Sequence, residues 1–151
     1  MKVFCRFGWS AIAFLLFSLC APAQSVPDKA YLQKLLDGWA TGNPNGQTQY
    51  YAQGQLLFFD EAPLKYNNWE EYRKGTTEGF KGVKSSTIKV NDDAQIHCDA
   101  PNVCWSAATV NMDFLLKNGQ ELKGTYRWTV IFEKQDGKWL IVHEHMSLPS
   151  S

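Results

Sequence analysis

Three features of the sequence predict an α+β fold with helices on one face of an antiparallel sheet. Apolar residues recur at spacings of three and four in residues 28–42 and 68–80. From residue 84 on, the chain reads as short apolar-polar runs separated by Asn-, Asp- and Gly-rich turns. Helices first and strands afterwards favour segregated layers over the alternating order of a parallel sheet. The length of 151 residues, less a targeting segment, is one domain's worth of chain.

The first 23 residues read as an export signal. Lys2 and Arg6 flank the start of an apolar run too short to span a bilayer comfortably, and Ala21-Pro22-Ala23 supplies a cleavage site. Leu19 stands where a lipoprotein signal carries a small residue, so Cys20 is not expected to be lipidated. The expected product starts near Gln24 and is periplasmic or secreted, with residues 24–151 as one domain.

In that domain Ser25-Val-Pro-Asp28 is a helix start, and Tyr31, Leu32, Leu35, Leu36, Trp39 and Ala40 form one stripe that stops at Gly42. Asn43-Pro-Asn-Gly46 breaks the chain. Residues 47–52 fit a short second helix, and residues 56–59 an apolar strand closed by Asp60. Asn68-Trp-Glu-Glu71 has capping-box spacing, so Asn68 accepts from the first turn and Glu71 reaches back. Strands are expected at 86–90, 94–98, 103–116, 120–134 and 138–147.

The last hairpin decides which side chains share a face. Two of the three histidines, His143 and His145, lie two apart on its second strand and so point the same way. Its turn fits either two residues at Asp136-Gly137 or a type I turn followed by a left-handed Gly bulge, and these differ by one residue in register. The bulged register puts Thr129 opposite His143 and Arg127 opposite His145, with Trp139 and Ile141 on the histidine face. Tyr126, Trp128, Val130, Phe132, Leu140, Val142 and Met146 then form an apolar surface on the other face. A monomer rarely leaves so much apolar area in water, so a homodimer through that outer face is expected, centred on Trp128, Val130, Phe132, Leu140 and Val142.

Loss of Lys2 and Arg6 takes the formal charge from zero to minus two, which gives no footprint for nucleic acid or anionic lipid. Cys98 and Cys104 flank the turn Asp-Ala-Pro-Asn, and an oxidising compartment predicts a local disulfide between them. A metal pair with His97 lacks a fourth ligand, and no metal is expected. There is no P-loop, dinucleotide fingerprint or nucleophile elbow, so no cofactor is expected.

Tyr50-Tyr-Ala52, Phe58-Phe-Asp60, Trp69-Glu-Glu-Tyr-Arg73, Arg127-Trp-Thr129 and the closing run Gly137-Lys-Trp-Leu-Ile-Val-His-Glu-His-Met-Ser-Leu-Pro149 resemble the SnoaL-like, ketosteroid-isomerase-like branch of the nuclear transport factor 2 superfamily. The resemblance spans nearly all of the mature chain. It implies a cystatin-like α+β fold: a cone-shaped, curved antiparallel sheet packed on three N-terminal helices, with a pocket between them. It also implies a general-base carboxylate at Asp60. The isomerases' oxyanion pair is not matched, since Leu35 falls near the tyrosine's place and the orientation of Asp113 is open.

His143 and His145 join Asp60 as candidate catalytic residues, because imidazole can move a proton near neutral pH. Tyr51, Phe59, Trp69, Tyr72 and Trp105, with Arg127 and Thr129, are the candidate ligand contacts. Aromatic residues make up 14% of the chain, enough to line a pocket for a flat ligand as well as a core. The expected function is binding of a small apolar or carbonyl-bearing molecule. The alternatives are cofactor-free isomerisation, cyclisation or dehydration by proton transfer, and a dimeric association module.

Overall fold

Local sequence signals set where the elements begin. The computed structural model describes residues 25–54 and 56–150, so the expected signal segment lies outside the described residues. Helix α1, Lys29–Ala40, starts where the Asp28 carboxylate accepts from the Tyr31 amide at 2.7 Å, and it buries Leu32, Leu35, Leu36 and Trp39. Helix α2, Trp69–Phe80, is capped by Asn68, whose side chain accepts from the Glu71 amide at 2.8 Å. Glu71 reaches back one residue further than the box pattern predicts, accepting from the Asn67 amide at 2.8 Å.

The expected second helix is instead a 3-10 segment, Pro44–Tyr50. Tyr51 is already extended and bridges Ile141, and the Ala52 amide donates to the Ile141 carbonyl at 3.0 Å. The chain therefore has to leave the helical conformation before an α-helical ladder can form. Among the described residues, two α-helices and this segment stand where three helices were expected.

Six strands follow or interleave: β1 Leu57–Phe59, β2 Val83–Val90, β3 Gln95–Ala100, β4 Val103–Leu116, β5 Glu121–Gln135 and β6 Lys138–Ser147. The pairing path is β1-β6-β5-β4-β2, with β3 also on β4, and β1 runs parallel to β6 while the other pairs are antiparallel. Among the described residues the sheet is open, because the path ends at β1 and β2 and these do not pair. This corrects the expected cone. Register shifts on β6, on β2 and on β3 bend the sheet locally without bringing its two ends together. The β4–β5 ladder runs from Val103–Glu133 to Leu115–Glu121 without a register shift.

The last hairpin also departs from expectation. Gln135 pairs with Lys138, so the turn has two residues, with Asp136 at φ 49° and Gly137 at φ 79° as such a tight turn requires. A bulge follows further in: Phe132 pairs with Ile141 but Ile131 with His143, leaving Val142 as the extra residue. Thr129 then lies opposite His145 and Arg127 opposite Ser147. Trp128, Val130, Phe132, Trp139, Ile141, Glu144 and Met146 are buried beneath the helices, while His143 and His145 alternate to the outer face. The surface expected to hold a dimer is thus largely core. Trp128 is 1% exposed and Val130 and Phe132 are 0%. The more apolar face of a sheet packs inward, because burying it removes the most hydrocarbon from water.

Tyr66 is buried against α2 where Gly75 has no side chain, and a Cβ there would sit 2.7 Å from the ring Cζ. Gly75→Ala is expected to cost about 1–3 kcal/mol by overpacking, despite the better helix propensity of alanine. Denaturant melts giving an unchanged or raised midpoint would contradict this contact.

Cys98 and Cys104 are bonded across the β3–β4 turn, and Cys104 is fully buried. Closing so short a loop is worth about 2 kcal/mol. The unfolded chain should show no free thiol at these positions, and reduction should lower stability by about that amount. Two titratable thiols in oxidised protein would refute the bond.

Candidate functional site

The inner face of the sheet and the two helices enclose a cavity of about 150 Å³, lined by residues including Trp39, Asp60, Tyr72, Thr76, Phe80, Phe114, Tyr126 and Glu144. A more open hollow of about 330 Å³ adjoins it and shares Asp60, Glu61, Thr76, Phe80 and Phe114. Helix α1 brings Trp39 and α2 brings Tyr72, Thr76 and Phe80 because these residues lie on their inward stripes. The rings of Trp39 and Phe80 are nearly parallel, with centroids 6.4 Å apart.

Glu144 is 2% exposed on β6. Its Oε2 accepts from the Tyr51 hydroxyl at 2.5 Å and its Oε1 from Trp128 Nε1 at 2.6 Å. Trp39 Nε1 in turn donates to the Tyr51 hydroxyl oxygen at 3.1 Å, so the tyrosine proton is directed at the carboxylate. Tyr51 is held flat on Trp69, with centroids 4.2 Å apart. No lysine, arginine or histidine lines the cavity among the described residues. Burial pushes the Glu144 carboxyl up to about 7, against the lowering effect of the hydrogen bonds from Tyr51 and Trp128. Burial also holds the Tyr51 and Tyr72 hydroxyls well above the ordinary tyrosine range, so both stay neutral.

Asp60 follows β1 and lies at the cavity wall. Burial raises its carboxyl above the usual aspartate value, opposed by the hydrogen bond from the Glu61 amide at 2.8 Å. Two carboxyl groups that hold a proton more tightly than a free carboxylic acid therefore face one space. Such a pair can accept or donate a proton, or meet a charged ligand. Among the described residues, no three His, Cys, Asp or Glu side chains are grouped to hold a metal ion.

Of the residues singled out from the sequence, Asp60 and Tyr72 reach the cavity, and Tyr51 and Trp69 support it from behind. His143 and His145 do not. They lie on the outer face, both in edge contact with the Phe59 ring, and His143 Nδ1 is 2.7 Å from the Leu57 carbonyl oxygen. Thr129 and the exposed Arg127 share that face, and Trp105 is stacked on His97 at 4.6 Å. Leu35 is core, and Asp113 is exposed and paired with Lys123 at 3.3 Å.

Glu144 is the residue that sequence reasoning missed. Its signal was present, because it is the one charged residue in the Leu140, Val142, Glu144, Met146 alternation. An acid among positions that otherwise read as buried calls for either a pairing or a function.

Residues 29–151 match the family model described as SnoaL-like domain. No curated protein shows significant similarity to the chain. Among solved structures, a Xanthomonas campestris protein described as a calcium/calmodulin dependent protein kinase II association domain is 21% identical, with TM-score 0.71, over 81% of this chain and 85% of that one. A nuclear transport factor 2-like superfamily protein from Salmonella enterica is 18% identical, with TM-score 0.71, over 82% of this chain and 92% of that one. A Streptomyces avermitilis protein described as a dehydratase of the same superfamily is 9% identical, with TM-score 0.69, over 82% and 95%. At these identities the likeness carries the fold alone.

Proposed function

The chain belongs to the SnoaL-like domain family, and on that premise we propose that it binds a small, largely apolar molecule in the cavity between α1, α2 and the sheet. The observation that carries this reading is Glu144: a buried carboxyl facing an aromatic-walled cavity, with no cationic side chain lining it among the described residues. A buried carboxylate without a counter-ion is costly to stability even when hydrogen-bonded, and such groups cluster where binding or chemistry requires them. Asp60 supplies a second polar contact at the wall.

A second reading is supported by the pair of raised carboxyls. Asp60 would act as a base and the Tyr51–Glu144 pair would stabilise the charge that develops, giving a cofactor-free isomerisation, cyclisation or dehydration. The proposal also keeps export, which the Cys98–Cys104 bond suits. A homodimer would use the outer face through Trp105, Ile131, Leu140 and Val142, all half-buried in the monomer.

Native mass spectrometry of protein purified without denaturant should reveal a co-purified small molecule. Asp60→Asn then separates the readings: lost turnover with retained binding marks a base, weakened binding marks a ligand contact, and loss of neither marks a strand cap. A cavity that stays empty against a broad panel of small molecules would sink both.

A further inference from the structure

The donors around the cavity are already committed. Tyr51 and Trp128 donate to Glu144, Trp39 donates to Tyr51, and the Thr76 hydroxyl donates to the Tyr72 carbonyl at 2.9 Å, while the Tyr72 and Tyr126 hydroxyls are directed at Glu144 and Glu61. What remains for a ligand is acceptor capacity, on Glu144 and Asp60, within aromatic walls. Anionic groups would meet only carboxyls there, and a carbonyl would meet no free donor while those carboxyls are ionised. Aromatic faces with carboxylates and no competing cation are the chemistry that recognises an organic ammonium group.

We propose that the cavity is a site for a small organic cation, an alkylammonium or quaternary ammonium group, seated against Glu144 and Asp60 and walled by Trp39, Tyr72, Phe80 and Tyr126. This rests on the small-molecule reading above and narrows it to one class. A volume of about 150 Å³ is comparable to one that holds a benzene ring, so a trimethylammonium head fits, and the adjoining hollow takes the rest of the molecule. Grouped metal donors are lacking among the described residues, which favours a carbon-shelled cation over a bare one.

The groups facing Glu144 are Asp60, Tyr51, Tyr72 and Trp128, with Glu61 at the mouth. The tyrosines stay neutral in the working range, so only carboxyls titrate against the ligand. A cation favours the ionised carboxyl, and its binding should tighten as pH rises through about 7.

Choline and its uncharged carbon isostere 3,3-dimethylbutan-1-ol have the same shape and differ in charge, so their comparison by calorimetry isolates the effect. At pH 8 choline should bind at least about tenfold more tightly. At pH 5.5 most of that preference should disappear. Glu144→Gln should lose the preference while still taking the alcohol, and Asp60→Asn should weaken it; if the glutamine variant does not fold, the wild-type pH comparison and Asp60→Asn decide. Equal binding, or preference for the alcohol at pH 8, overturns the cation assignment and leaves the binding reading intact. Failure of both probes overturns the assignment too, while a neutral co-purified ligand would still uphold the pocket.

Discussion

Glu144→Gln is expected to flatten the fall of stability with rising pH between about 5 and 8. The folded carboxyl is raised from an ordinary 4.5 to about 7. Between those values the native state holds a proton that the unfolded chain has released, so stability falls as pH rises through the window. The contribution is fully present below the unfolded value and lost above the folded one. The difference corresponds to on the order of 3 kcal/mol. Asp60 shifts in the same direction, so some slope should survive the substitution. The glutamine amide would also face donors from Tyr51 or Trp128, lowering stability by a roughly constant amount at every pH, about 1–3 kcal/mol. Urea melts at several pH values test the slope and not the offset. A variant whose curve runs parallel to wild type would show that Glu144 is not the titrating group.

Phe132→Glu is expected to abolish cooperative folding. Phe132 is fully buried between the sheet and α1, with its ring 5.9 Å from Tyr31. Removing the ring alone costs about 3–5 kcal/mol, and the carboxylate adds a buried, unpaired charge. That total is a large share of the stability of an ordinary domain, about 5–15 kcal/mol. Thr129→Glu, three residues earlier on the outer face and opposite His145, should change stability by no more than about 1 kcal/mol. Circular dichroism and sedimentation distinguish the outcomes. A soluble, folded monomer from Phe132→Glu would restore the view that this face is a dimer surface.

The division into helices and strands was legible because it rests on short-range signals. Asp28 and Asn68 cap as their residue type predicts, and the turn residues before and after each strand mark most of its limits. Parity on β5 was legible too, since Arg127 and Thr129 do share a face with His143 and His145. What went astray was which face is inside. Two imidazoles on one strand suit a pocket chemically, yet Trp128, Val130, Phe132 and Met146 offer far more hydrocarbon to bury. Weighing the two faces by area would have put Glu144 in the interior and the histidines outside. The sheet's openness was not legible, since it depends on how adjacent long strands pair and not on the composition of either one. Asp60 was legible only through the resemblance of Phe58-Phe-Asp60, and it lies at the cavity wall.

The bulge at Val142 has a consequence for how this strand could change over evolutionary time. A strand with a side-chain period of two carries two interleaved sets of residues, and the extra residue selects which set is turned inward over the last turn of the pleat. Here Glu144 and Met146 are selected. Absorbing Val142 into a regular ladder, with Trp139 and Ile141 still inside, would rotate His143 and His145 inward and put Glu144 in solvent. Deleting Val142 would keep the present orientation without the bulge. A shift of pairing by one position thus exchanges an acidic floor for an imidazole one with no change in any side chain, so the gain or loss of this bulge alone would carry descendants of one sequence between two chemistries.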